Sequence, residues 1–306
     1  DEAYGGGGER SAVTAALIAE ELAWGDLSIA LAVLSPSLLA FPVSDFGSDE
    51  LKQEILPTFS ESRFVPGSLA LVEPHYGADP LAPRTRARRA GDDFVLDGAK
   101  CLVPWIDGGS FVVVTAASED GARAFVVARD SAGLEATPER NMGIHGLPTV
   151  TLSLDGVRVP AARALEVGDG RSLQRIVERG RVALSAAAIG VARAAYEVSL
   201  EYAKERHAFG APIATKQAIA FKLADMAIEI DGARLLTWEA AWRLDQGLPA
   251  GRESTLAHRQ AQRVALEVSD GAVQVLGGHG YIRDYLPELH LRNARGFACF
   301  EALTLS

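Results

Sequence analysis

A chain of 306 residues with 48% hydrophobic and 23% charged side chains is long enough for two or three domains, and its composition is too ordinary for general disorder. The formal charge of −10 excludes a nucleic-acid binder of the basic-stripe kind, since no excess of Lys and Arg is available to displace phosphate counterions; a few local arginines could still meet an anionic ligand. Two cysteines, Cys101 and Cys299, are too few for a disulfide framework or a thiolate metal site and point to a reducing, cytoplasmic setting.

In chain order, the opening Asp1-Glu2-Ala3-Tyr4-Gly5 has neither the basic nor the apolar region of a signal peptide, and without an initiator Met it reads as the edge of a shortened domain. Residues 11–24 place Val13, Leu17, Ile18 and Leu22 at helical spacing, with Ser11 as cap and Gly25-Asp26 as stop. Leu27 to Leu39 is a second, strongly apolar segment that Pro36 kinks or divides. The uncharged stretch from Leu27 to Ser44 carries serines and prolines and sits at the lower limit of spanning length, so it reads as buried core and no membrane span is expected. Asp49 to Phe59 predicts a short amphipathic helix weakened by Pro57.

From Arg63 to Pro160 the pattern becomes short and β-branched: Phe94-Val95-Leu96, Phe111 to Thr115, Ala124 to Val127 and Val150 to Leu154 alternate with Gly- and Asp-rich turn signals. Strands this close leave no room for crossover helices, which predicts one antiparallel domain, a small barrel or paired sheets. Beyond Pro160 the period returns to 3.6. Leu173–Lys204, Thr215–Asp245 and Ser254–Leu276 predict three long helices with short links, and Leu286–Phe297 supplies a fourth, so an antiparallel four-helix bundle is expected. The fold class is therefore α+β, with a helical domain over 1–62, a β domain over 63–160 and a bundle over 161–306.

Common catalytic signatures are missing: there is no GxGxxG after a strand, no GxxxxGK[ST], no HExxH and no GxSxG. The six histidines show no metal spacing and read as surface or structural residues. Gln274 to Gly280 carries paired glycines whose amides could approach a phosphate, or could simply end a helix. Arg206-His207-Ala208-Phe209-Gly210 offers a guanidinium and a ring that suit a phosphate and a base, or a solvated Arg beside a core Phe. Glu301 lies in the apolar run Phe297, Ala298, Cys299, Phe300, Ala302, Leu303. Such neighbours can raise the pKa of a carboxylate into the range of a base, though a solvated acid near the chain end has the same look.

Several strings occurring in one order carry a resemblance: Tyr4-Gly5-Gly6, Glu73-Pro74 with Gly77 and Asp79, Asp97-Gly98 with Lys100, Asp155 to Pro160, Arg206 with Phe209-Gly210, Gln274 with Leu276-Gly277-Gly278, and Glu301. Together they resemble the acyl-CoA dehydrogenase family over nearly the whole chain. The resemblance implies the same three domains, FAD held at a subunit interface, and oxidation of an acyl-CoA thioester to the trans-2-enoyl-CoA. It implies Glu301 as the base, Arg181 beside the catalytic pocket, and Arg206, Phe209, Gln217, Gln274, Gly277 and Gly278 at the cofactor's adenine and pyrophosphate end. A subset of the family carries its glutamate at the position of Gly180, which holds no acid here. Implied partners are an electron-transferring flavoprotein and further copies of the chain, as a homodimer or homotetramer, with a heterotetramer also open.

Departures gather on the flavin side. Where the family usually has Thr-Glu-Pro-Gly-Ala-Gly-Ser-Asp this chain has Val72 to Asp79, losing hydroxyls at Val72 and Ala78, and where it has Trp-Ile-Thr this chain has Leu102-Val103-Pro104. Proline also lacks the backbone donor. Two outcomes are implied: an active enzyme with an atypical flavin pocket, or one partner-dependent half of a heteromeric dehydrogenase resembling the actinobacterial type for steroid-side-chain thioesters.

Overall fold

The computed structural model describes residues 2–8, 10–165 and 171–299. Helices α1 (Ala12–Gly25), α2 (Leu27–Leu34), α3 (Ser37–Phe46) and α4 (Asp49–Ile55) make the first domain. Each start has a local cause. The Ser11 hydroxyl accepts from the Thr14 amide, Asp26 from Ile29, and Ser48 from Leu51, satisfying helix donors that would otherwise lack partners. The single apolar segment of the sequence is two helices divided at Ser35-Pro36, with Leu27, Leu31, Leu38, Leu39, Val43 and Phe46 buried. α4 stops at Ile55, short of the expected Phe59, and the chain tightens into a 3-10 turn through Pro57.

The sheet contains β1 (Leu69–Ala70), β2 (Arg86–Ala90), β3 (Asp93–Pro104), β4 (Phe111–Ser118), β5 (Gly121–Ala128), β6 (Leu134–Pro138), β7 (Thr149–Pro160) and β8 (Ala164–Leu165). Its order is β6-β7-β3-β2-β4-β5-β8, with β1 beside β4. The expectation of uniform antiparallel pairing needs correction: β1 and β2 both run parallel to β4, meeting it at Leu69/Val113 and at Arg86/Ala117. These contacts are short and reached by loops, so a mixed sheet forms without any crossover helix. β3 bends where its pairing with β7 shifts, first between Leu96 and Gly98 and again between Lys100 and Val103. The second shift holds Leu102 at φ +56° and turns Cys101 and Leu102 out of regular strand geometry.

The third domain is helical. α5 (Ser172–Glu205) is followed by the hairpin β9 (His207–Ala208) and β10 (Ala211–Pro212), then α6 (Gln217–Asp245), α7 (Gly251–Leu276) and α8 (Pro287–Gly296). With 34 residues α5 is about 51 Å long and runs unbroken through Gly180 and Gly190. Gly190 has a packing reason, since a Cβ there would lie 2.3 Å from the Glu20 carbonyl on α1. Glu20, buried at that crossing, accepts from Arg193 of α5 at 3.1 Å and Arg234 of α6 at 2.9 Å, which locks the first domain onto the bundle. By length and composition Ser172–Glu205 could cross a membrane, yet 78% of its most apolar window is buried inside this protein.

Candidate active site

A cavity of about 490 Å³ opens where three segments far apart in sequence meet: the loop from Val72 to Ala78, the bulged Cys101-Leu102, and Ala298-Cys299 after α8. The loop is anchored from below. Lys100 is fully buried, and its Nζ donates to Glu73 Oε1 at 2.9 Å, Thr115 Oγ1 at 3.0 Å and the Leu71 carbonyl at 3.2 Å, using all three ammonium donors. Glu73 also accepts from the amides of Arg84 at 2.7 Å and Thr85 at 2.8 Å, and its Oε2 lies 3.0 Å from His75 Nε2. Burial pushes the Glu73 carboxyl up, but Thr85, the Arg84 amide and Lys100 outweigh it and hold it at about 2. Burial pulls Lys100 down from its usual value, while Glu73 opposes that pull.

Above this anchor the loop turns through Gly77 at φ +71°, a conformation glycine adopts without penalty. Among the described residues the amides of Tyr76, Gly77 and Ala78 have no hydrogen-bond partner, leaving successive donors at the cavity rim. On the second segment the Leu102 amide is already taken: it donates to the Glu139 carboxylate at 3.0 Å, which also receives the hydroxyls of Thr149 and Thr151 at 2.9 and 2.7 Å. Burial raises the Cys101 thiol to about 11, so it stays protonated at neutral pH.

Of the four flavin-side positions singled out in sequence, Val72, Ala78 and Leu102 line the cavity. Pro104 is instead buried behind the wall, its carbonyl accepting from the Ser68 hydroxyl. The neighbouring Trp105 does not replace the missing indole. The Arg129 guanidinium sits 3.9 Å from its ring centroid and donates to Ser68 and to the Ile106 carbonyl; burial lowers Arg129 to about 10.

The positions implied for the adenine end gather elsewhere, at one end of the bundle. Arg206 closes α5, Phe209 tops the β9–β10 hairpin, Gln217 opens α6, and Gln274 with Gly277 and Gly278 closes α7. All six are exposed, and none lines the cavity. Phe209 is 97% exposed and held at φ +54°, a costly state for an aromatic residue unless something covers it.

Glu301 lies outside the described residues. The segment leading to it is described as far as Cys299, a cavity residue two positions earlier in the chain. Arg181 on α5 donates to Thr255 Oγ1 of α7 at 2.9 Å, and among the described residues it forms no ion pair. Beside it lies a polar stripe that sequence reasoning missed. His258 is 4% exposed, with the Gln262 amide nitrogen 2.7 Å from its Nε2, and the same nitrogen donates to the Phe297 carbonyl at the end of α8. Among the described residues its Nδ1 is buried without a partner. Burial, followed by the charges of Arg181 and Arg259, lowers His258 to about 4. An unpaired buried donor costs about 1–3 kcal/mol. The signal was present as Thr255, His258 and Gln262 at i, i+3 and i+7 among alanines, but it indicates a shared helix face and no chemistry.

The cavity fits a flavin. Its volume, its free loop amides and its anchored rim supply room and donors, with backbone taking over from the hydroxyls absent at Val72 and Ala78. A helical domain, a mixed sheet and a four-helix bundle, with the cavity between loops of the sheet domain and the segment after α8, make the architecture of a flavoprotein dehydrogenase. Family models described as acyl-CoA dehydrogenase N-terminal, middle and C-terminal domains match residues 1–62, 68–157 and 168–301. The chain belongs to the acyl-CoA dehydrogenase family, and its activity is FAD-dependent α,β-dehydrogenation of an acyl-CoA thioester. It is similar to the "Probable acyl-CoA dehydrogenase YngJ" of Bacillus subtilis, 39% identical over 96% of this chain and 80% of that protein. The rat mitochondrial short-chain specific acyl-CoA dehydrogenase is 36% identical over 96% of this chain and 73% of its own. The solved butyryl-CoA dehydrogenase of Megasphaera elsdenii superposes with a TM-score of 0.87 at 33% identity, covering 98% of this chain and 82% of that one.

Proposed function

We propose that Glu301 is the base that removes the α proton of the thioester, with Arg181 of α5 as a cation beside the catalytic pocket. The observation that carries this reading is the convergence of the loop 72–78, Cys101-Leu102 and Ala298-Cys299 on one cavity. It brings the chain to the cavity wall two residues before its one acid in an apolar run. An α proton beside a thioester is weakly acidic, so removal needs a carboxylate of raised basicity, and the apolar neighbours Phe297, Ala298 and Cys299 provide the setting. When bound, FAD supplies the acceptor for the β hydrogen as hydride, chemistry that side chains cannot perform. The loop amides of Tyr76, Gly77 and Ala78 orient the ring, and the Glu73–Lys100 pair keeps the loop from yielding. Substitution of Glu301 by Gln should lower turnover by about 10²- to 10⁴-fold while flavin content and fold persist. Turnover near wild type in that variant contradicts the assignment.

The working unit in this reading is an oligomer in which one copy's Arg206, Phe209, Gln217 and Gln274 cover the distal end of a cofactor seated in its neighbour's cavity. Support comes from the separation of the two residue groups and from the outward apolar stripe Phe221, Ile228, Leu235, Trp238 and Trp242 on α6. Light scattering with flavin quantitation should find FAD only in the dimer or a larger assembly. A fully flavinated monomer overturns the arrangement, and flavin uptake only on adding a second, different chain identifies the heteromeric form instead. An electron-transferring flavoprotein is the acceptor that reoxidises the enzyme in this reading.

A further inference from the structure

His75 stands in the cavity wall with both ring nitrogens set against oxygens that can only accept. Nδ1 lies 3.1 Å from the Tyr76 carbonyl, and Nε2 lies 3.0 Å from Glu73 Oε2. A carbonyl has no proton to give, and Glu73, held at about 2, is an ionised carboxylate near neutral pH. A neutral imidazole donates from one nitrogen only, so one of the two contacts would then press a lone pair against an oxygen. The doubly protonated ring satisfies both. Its charge is not cancelled by the carboxylate it touches, because Lys100 Nζ already balances Glu73 from the other oxygen at 2.9 Å.

We propose that His75 is the cation of the flavin cavity, fixed in its wall so that it favours the reduced, anionic flavin over the oxidised one. The proposal rests on the flavin sitting in this cavity. A flavin that accepts a hydride, two electrons and one proton, gains one negative charge. A positive charge held in the wall therefore binds the reduced form more tightly and raises the midpoint potential. The charged groups around the histidine are Glu73 and Asp79 of its own loop, Lys100 of β3, Glu139 behind the Cys101-Leu102 bulge, and Arg295 of α8, whose charge reaches Cys299. Arg84 contributes its amide to Glu73, and burial keeps Cys101 and Cys299 as neutral thiols. Against the three carboxylates stand two other cations, so His75 is the charge that keeps the cavity from repelling an anion.

The test is the midpoint potential of the bound flavin, read by dye equilibration in the flavin-loaded oligomer from about pH 6 to about pH 9, with FAD dissociation measured beside it. His75→Gln keeps a donor for Glu73 but carries no charge. At about pH 6 it should bind reduced flavin about tenfold less well relative to oxidised flavin, which lowers the midpoint by about 30 mV for a two-electron couple. The gap should close as the pH rises, because the parent ring then gives up its second proton and with it the charge. His75→Lys restores a cation and should hold the higher potential into the alkaline range, where the parent and the Gln variant meet. Equal potentials in all three proteins at about pH 6 overturn the proposal. A merely structural histidine would lower the melting temperature or loosen both flavin states alike with the potential unmoved, which overturns it equally. If the Gln variant does not fold, the parent and Lys proteins should still agree at low pH and part at high pH, and parallel curves refute the role. A protein that stays colourless with FAD removes the flavin from the cavity and the role of His75 with it, whereas a yellow protein with unmoved potentials removes only the histidine.

Discussion

The sheet domain and the bundle both bury ionisable groups, but they treat them differently. In the sheet, Lys100 and Glu73 are sealed and completely paired, with every ammonium donor used and the carboxylate surrounded by donors. In the bundle, His258 and His290 are also buried, yet among the described residues each keeps one ring nitrogen without a partner. Complete satisfaction marks a scaffold, because removing either member leaves a buried charge. Incomplete satisfaction marks a place where a group is still to be supplied or where the fold tolerates a cost. At His258 the ring is braced by Gln262 and lies near the Arg181 charge. At His290 no comparable brace is present among the described residues; its neighbours are Trp24, Asp26 and Asn293 around a smaller cavity.

The largest structural effect expected from this contrast is at Lys100. Replacing it with Met leaves the Glu73 carboxylate buried without its ammonium partner, which should destabilise the sheet domain by about 3–5 kcal/mol and release flavin. Chemical denaturation with flavin fluorescence measures both, and an unchanged midpoint would show that the pair is no anchor. Next comes the pH response of His290, which burial lowers to about 4 from an ordinary 6.5, with Asp26 opposing. The unfolded chain takes up this proton below about pH 6.5 and the folded chain only near pH 4. The site's contribution is thus fully present above pH 6.5 and falls away as the pH drops toward 4, by an amount on the order of 2 kcal/mol. Thermal melts from pH 7 to pH 4 should show a shallower decline in His290→Gln than in the parent, and equal slopes would refute this account. The smallest effect is at the cavity lining, where Val72→Thr and Ala78→Ser add hydroxyls at positions that line the cavity. Each should tighten FAD by a few-fold, about 0.5–1.5 kcal/mol, without altering stability. Unchanged flavin dissociation in both would mean that the loop amides already saturate the ring.

Much of the fold could be read from the chain because it is local. Helical period and the absence of proline mark α5, α6 and α7, and Ser11 and Asp26 cap where cap residues belong. β2 escaped because its sequence, Arg86 to Ala90, is mostly charged and exposed, and most of β3 escaped because Asp97-Gly98 reads as a turn although the strand bulges through it. The parallel contacts of β4 join residues whose neighbours along the chain give no hint of them. At the site, residue types could be read but placement could not. Nothing in the sequence brings Ala78 to Cys299 or puts Pro104 behind the wall, since both depend on how β3 bulges and where α8 ends. His258 looked like any other core histidine in the sequence, and only the fold shows its Nδ1 without a partner among the described residues.

The visible spectrum of the purified protein, before and after anaerobic addition of a panel of acyl-CoA esters, tests the central claim most directly. The cavity at Val72–Ala78, Cys101-Leu102 and Ala298-Cys299 predicts an oxidised flavin spectrum that bleaches with a trans-2-enoyl-CoA product. A protein that carries flavin but stays oxidised with every ester, or that remains colourless when reconstituted with FAD, would contradict it.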